Sequence, residues 1–263
     1  KGCQFVDTTC GDVMSVWKRV RNYAKEEVTS IIHGKAYHEE TKATSSQATS
    51  KNGHYLVVLT LEETDYVCDY IENGGDKKEF LKKFEGAFSE GFDPDQHLKA
   101  VGVANQTTMM RGETEEVQHR IKAAIERKFG AAKVDSHFRF FDTICGATQE
   151  RQDALDVLLQ KPMDLLLVIG GYNSSNTAHL AEMGEGVLPT YFIKNAAEMD
   201  DAALIRHWNQ HTNQVDETHD WLPDGTLTIG VTAGASCPNN LIEDVICRLL
   251  ELRGSSADEF LPN

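Results

Sequence analysis

The sequence predicts an α/β fold made of two α/β domains with parallel sheets, and three observations carry that expectation. Short apolar runs of strand length alternate with segments of helical period along the whole chain, the pattern of βα units. The run at residues 164–169 is apolar almost throughout, as a strand covered on both faces of a parallel sheet must be. The turns after the predicted strands are built from Cys, His, Glu, Asn, Ser and Thr, and open α/β sheets bind ligands outside those carboxyl ends. A division at Phe141 leaves segments of about 130 and 110 residues, each of domain size. The expected boundaries are 11–141 and 142–254, with 255–263 as a loose tail.

Taken in order, residues 4–9 read as a short strand ending at Cys10. Asp12 is placed to cap a helix whose Val13, Val16, Val20 and Tyr23 recur at helical spacing. Residues 29–33 form the next strand, and a polar stretch through His38 and Glu40 leads into a helix. A strand at 54–59 and a helix at 61–71 follow; Asn73-Gly74-Gly75 breaks the chain before a second helix at 77–88. Residues 91–95 read as loop and 101–104 as strand, followed by Asn105-Gln106-Thr107-Thr108 and a long helix over 114–129 that Gly130 stops. Phe138, Phe140 and Phe141 suggest the end of a buried strand, then Cys145 in a turn, then a helix carrying Ala154, Leu155, Leu158 and Leu159. The strand at 164–169 runs into Gly170-Gly171-Tyr172-Asn173-Ser174-Ser175-Asn176, which opens a helix through Leu180 and Met183. A strand at 190–193, a helix at 201–208 and an acidic surface loop at 209–220 come next. The last strand, 226–231, is followed by a turn through Ser236 and Cys237 and a helix at 240–252, with Pro238 suited to its first turn.

Composition narrows the function. The 263 residues carry 26 Lys and Arg against 41 Asp and Glu, a net charge of −15, which argues against nucleic acid as the main partner. An anion must then be held by local donors rather than by the field of the whole molecule. No apolar run approaches the roughly 20 residues that span a bilayer, so no membrane role is expected. Cys3, Cys10, Cys68, Cys145, Cys237 and Cys247 form no CxxC pair, and a chain of this size needs no disulfide staples. The thiols therefore read as reduced, with metal, cluster or catalytic roles open to them.

The polar turns fall into two chemical sets. Asn173-Ser174-Ser175-Asn176 and Ala235-Ser236 offer hydroxyl and amide donors at helix starts, a neutral cradle for phosphate oxygens; the same residue types also make ordinary helix caps. With neither a P-loop nor a GxGxxG, a nucleotide is not the obvious ligand. The second set is Cys10 and Cys145 with His38 and Glu40. A thiol at a strand mouth beside a helix start is favoured as thiolate, and soft thiolates suit an iron–sulfur cluster or zinc. Without that company each cysteine would read as a small buried hydrophobe, His38 as a loop residue and Glu40 as a solvated helix-start acid.

Asp7-Thr8-Thr9-Cys10, His38-Glu39-Glu40-Thr41, Asn105-Gln106-Thr107-Thr108, Thr143-Ile144-Cys145 with Thr148-Gln149-Glu150-Arg151-Gln152, Asn173-Ser174-Ser175-Asn176 and Thr232-Ala233-Gly234-Ala235-Ser236 resemble, in order, the motifs of the IspH/LytB family. These are 4-hydroxy-3-methylbut-2-enyl diphosphate reductases of the non-mevalonate isoprenoid pathway. The resemblance implies two of three α/β lobes in a trefoil around a 4Fe–4S cluster, with Cys10 and Cys145 as two of its three cysteine ligands. It implies Glu40 as proton donor and Thr107 as the residue orienting the substrate hydroxyl and relaying protons, flanked by Gln106 and Thr108. His38, Ser174, Ser175, Asn176 and Ser236 would hold the diphosphate. Ferredoxin or flavodoxin would donate electrons, in a bacterial cytoplasm or a plastid stroma.

Some features depart from the family pattern. Its first ligating cysteine and two further histidines come from an N-terminal domain, of which residues 1–10 would be the last strand. Cys3 lies seven residues before Cys10, at the wrong end of that strand to replace the missing ligand. Cys237 is better placed and reads first as a packed loop thiol. Two competing functions stand beside the reductase: a non-catalytic remnant that binds a phosphate ligand or assembles with another polypeptide, and a zinc-dependent α/β hydrolase using Cys, His and Glu.

Overall fold

The computed structural model describes residues 9–141 and 145–255, and the chain divides into two compact units, Lys1–Cys145 and Gly146–Asn263. The first unit runs α1 (Gly11–Lys25), β1 (Thr29–His33), α2 (Glu39–Thr49), β2 (Tyr55–Val58), α3 (Leu61–Asn73), α4 (Lys77–Lys83), α5 (Pro94–His97), β3 (Val101–Asn105), α6 (Arg111–Phe129), α7 (Val134–His137) and β4 (Phe138–Phe140). Its sheet is wholly parallel, in the order β2-β1-β3-β4. Side chains alternate between faces, so Ile31, Leu56, Val58, Val101 and Val103 join Val67, Ile71, Val117, Ile121 and Ile125 of α3 and α6. On the other face Tyr55 and Ala104 meet Val16, Val20 and Ala48 of α1 and α2. Helices on both faces bury every residue of β1 and β3, and the polar turns emerge from the carboxyl ends of these central strands.

The second unit runs α8 (Gly146–Leu159), β5 (Leu165–Ile169), α9 (Ser175–Glu185), β6 (Thr190–Ile193), β7 (Leu204–Asn209), β8 (Gln214–His219), β9 (Ile229–Ala233) and α10 (Asn239–Leu252). β5 is the centre of a parallel sheet ordered β6-β5-β9. Leu165, Leu167 and Ile169 pack with Val245 and Leu249 of α10, whereas Leu166 and Val168 pack with Leu155 of α8 and Leu180 of α9. An uninterrupted apolar strand is what such two-sided coverage requires. The architecture is thus α/β with parallel sheets in both units.

Several expectations are corrected. The helix expected at 201–208 and the loop at 209–220 are an antiparallel hairpin, β7 and β8, with His207 paired to Asp216 and Asn209 to Gln214. The start signal misled: the Asp201 carboxylate accepts the N–H of Ala203 and Leu204 at 2.7 and 2.8 Å, as a helix cap does, but the chain then extends. Ile205 points into the core and Trp208 stacks on Tyr172 at 4.9 Å between ring centroids. The aromatic run before Cys145 is a short edge strand; Phe138 is buried, but Phe140 and Phe141 are 56% and 40% exposed. The Arg19 guanidinium lies 3.7 Å from the Phe141 ring centre, which accounts for an exposed aromatic there. The helix expected at 77–88 stops at Lys83, and the following chain runs antiparallel to the edge of β2, with Val57 N–H donating to Ala87 C=O at 2.7 Å. Cys10, not Asp12, occupies the cap of α1, and Pro238 precedes α10 as its cap. The strand expected at 4–9 and the tail at 255–263 lie, except for residues 9 and 255, outside the described residues.

Candidate functional site

In the first unit the site grows from two adjacent strand ends. β1 and β3 are paired in register, so the turns after His33 and Asn105 leave side by side. Gln106 ties them together: its Oε1 accepts the Lys35 N–H at 3.2 Å and the Thr41 hydroxyl at 3.1 Å, and its Nε2 donates to Thr108 Oγ1 at 2.7 Å. Gly34 is needed for this closeness, since a Cβ there would stand 2.9 Å from Gln106 Cβ and 3.0 Å from Thr41 Oγ1. His38 caps α2, its Nδ1 accepting the Glu40 N–H at 3.3 Å. With Nδ1 as acceptor, the neutral ring carries its proton on Nε2. Burial, reinforced by Lys35, holds the His38 pKa below its ordinary value and so favours that neutral form.

The cap sets the angle at which Glu40 enters α2, and Glu40 reaches the next turn. The Thr107 N–H donates to Glu40 Oε1 at 2.6 Å, and the Thr107 side chain makes a second hydrogen bond to the carboxyl. Burial raises the Glu40 pKa above the usual carboxylate value, and the Thr107 bonds oppose but do not cancel this. Cys145 belongs to the same cluster, its N–H donating to Thr107 C=O at 3.2 Å. A carboxyl with a raised pKa, a buried threonine and a half-exposed thiol therefore meet along one piece of backbone.

In the second unit the turns after β5 and β9 lie side by side and carry uncharged polar groups. Ser174 caps α9, and Ser175 and Asn176 lie in its first turn, 6% and 4% exposed. Among the described residues neither polar atom of the Asn176 side chain has a hydrogen-bond partner, a costly state for a buried amide. Gly234 N–H donates to Ile169 C=O at 2.9 Å, which brings the turn holding Ser236 against the end of β5; Ser236 itself is exposed. Sequence reasoning gave no role to Thr177, Gly170 or Gly234, because their contacts join segments far apart in the chain.

The thiols differ in environment. Cys10 is exposed at the cap of α1, while Cys68 is buried and its pKa is pushed up to about 12, mainly by desolvation. Burial also raises Cys237, whose N–H closes the turn onto Gly234 C=O at 2.9 Å. Cys247, read from sequence as core, is only half-buried. Among the described residues no three His, Cys, Asp or Glu side chains stand together as a metal-binding group. Cys10 and Cys145 supply thiol chemistry suited to iron and sulfide, but a cluster is anchored by three or four such groups. The described residues alone therefore do not fit the whole cofactor.

Parallel sheets with polar turns at the carboxyl ends of their strands place both units in the α/β class. Its sequence carries the pattern of the family described as LytB protein over residues 1–250, and the chain belongs to that family. It is similar to the 4-hydroxy-3-methylbut-2-enyl diphosphate reductase of Gloeobacter violaceus, with 52% identity over 97% of this chain and 60% of that protein. The enzyme of the same name from Synechococcus sp. is 50% identical over 97% of the chain and 63% of its own length. The chain thus spans about 60% of the length of these curated relatives. A solved structure of the E-1-hydroxy-2-methyl-but-2-enyl-4-diphosphate reductase from Plasmodium falciparum shares the fold, with a TM-score of 0.60 and 20% identity over 93% of this chain and 59% of that one. Among the described residues no helix is long and apolar enough to cross a membrane.

Proposed function

We propose that the chain takes part in reducing 4-hydroxy-3-methylbut-2-enyl diphosphate to isopentenyl and dimethylallyl diphosphates. The reaction takes in two electrons and two protons, breaks the C–O bond to the hydroxyl and releases water. The Glu40 carboxyl carries this reading: it is half-buried, biased toward its protonated form and fixed by Thr107. Protonated Glu40 gives its proton to the departing hydroxyl, which then leaves as water rather than hydroxide. Thr107 orients that hydroxyl and relays the proton, with Gln106 and Thr108 holding the turn in shape. His38 donates from Nε2 to the diphosphate, and Ser174, Ser175, Asn176 and Ser236 complete its hold. A 4Fe–4S cluster, when bound, would supply the electrons, drawn from ferredoxin or flavodoxin, and Cys10 and Cys145 would be two of the residues holding it. The setting is a bacterial cytoplasm or a plastid stroma.

The test is turnover by the polypeptide as the cell makes it, purified without oxygen. Wild type should release both products, and Glu40→Gln should slow release by about 10²- to 10⁴-fold. Turnover unchanged by Glu40→Gln would remove the proposed proton donor. A second reading is a diphosphate-binding subunit that pairs with another polypeptide bearing further cysteines, since Cys10 and Cys145 are two of the three or four thiols a cluster takes. Native mass measurement separates the two, because the second requires a heteromeric complex.

A further inference from the structure

The turns of the second unit share one buried side chain. Thr177, 1% exposed in the first turn of α9, sends both its N–H and its hydroxyl to Ser174 Oγ, at 3.3 and 3.0 Å. A Cβ on either Gly170 or Gly234 would collide with its Oγ1, so glycine just past β5 and just past β9 is what leaves room for that hydroxyl. A buried hydroxyl proton must find an acceptor, and Ser174 Oγ is the acceptor this one has.

A serine oxygen has two lone pairs and one proton. Thr177 occupies both lone pairs, which leaves the Ser174 proton to be donated outward. With it at the start of an 11-residue helix is the Asn176 amide, which has no partner among the described residues; the helix N-terminus and the amide N–H groups both suit negative charge. Resting on the reading of these turns as a diphosphate cradle, we infer that Thr177 is a positioning residue that commits the Ser174 hydroxyl to donating a hydrogen bond to the anion. It touches no substrate atom. Without its hydroxyl, Ser174 regains a free lone pair and can turn its proton away from the ligand.

The experiment is calorimetric titration of the full chain with inorganic pyrophosphate, with thermal unfolding as a check on folding. Thr177→Val keeps the side-chain shape and should weaken binding about tenfold, the loss expected for one charge-assisted hydrogen bond. Thr177→Ser restores the hydroxyl and should restore affinity. In a Ser174→Ala background, Thr177→Val should add no further loss, because the group it acts through is gone. Should the valine variant fail to fold, Thr177→Ala takes its place in the same comparison. Equal affinity of the valine and wild-type chains, no rescue by serine, or additive losses in the Ser174→Ala background would each overturn the inference while leaving the cradle intact. Absence of pyrophosphate binding by the wild-type chain would overturn the cradle reading and the inference with it.

Discussion

The two units present their polar turns in opposite states of satisfaction. In the first, Gln106 is fully buried and bonded to Lys35, Thr41 and Thr108, and the Glu40 carboxyl is already fixed by Thr107. In the second, Asn176 is also buried, yet among the described residues neither of its polar atoms has a partner. Two buried amide side chains past parallel strands, Gln106 directly after β3 and Asn176 in the first turn of α9, are thus satisfied to different degrees. The first region is internally bonded; the second retains hydrogen-bonding capacity that the described residues do not use.

The sharpest way to break that comparison is to make the same chemical change on both sides. Gln106→Leu strands the Lys35 N–H and the Thr41 hydroxyl and should destabilise the fold by about 2–4 kcal/mol in denaturant titration, from two unsatisfied groups. Asn176→Leu removes an amide that has no partner among the described residues, so the same titration should register a change within about 1 kcal/mol, while pyrophosphate affinity falls. Equal losses in the two variants would mean that the regions are not different in kind.

A smaller effect separates the regions by pH. Burial raises the Glu40 pKa from its usual 4.5, so its contribution to stability is present below that unfolded value and is lost as pH rises through the folded one. Glu40→Gln should therefore raise the Tm at pH 7 relative to wild type and give no advantage at about pH 4. A variant whose Tm advantage is independent of pH would show that desolvation of the charge is not the cause. The smallest expected effect concerns His38, whose pKa is lowered from 6.5 by burial. Its cap is present above that value and is lost as pH falls through the folded value, because a protonated Nδ1 cannot accept the Glu40 N–H. His38→Ala should cost about 1 kcal/mol at neutral pH and less in acid.

Much of this could be read in the chain because local physics wrote it there. The apolar strand of residues 165–169 and the helical spacing of Val16, Val20 and Tyr23 follow from burial period alone. The polar turns stood out because such residues collect at strand ends. What failed to show was non-local. Asp201 gives the same short-range signal for a helix start as for the turn before β7, and only pairing with residues 214–219 decides between them. Phe140 and Phe141 look like core until the strand proves to be an edge with Arg19 beside it. Thr177 resembles any helix-start threonine; its setting between Gly170 and Gly234 exists only once β5 and β9 are neighbours.

The high pKa of Cys68 has a practical consequence for handling the protein. Sulfur that stays protonated and enclosed reacts slowly with alkylating reagents and peroxide, whereas the sulfur of Cys10 lies open at the surface. Damage by air should therefore register at Cys10 while Cys68 is still intact. The order of mass additions then becomes a built-in gauge of sample age, and labelling of Cys68 would announce that the first unit has begun to come apart.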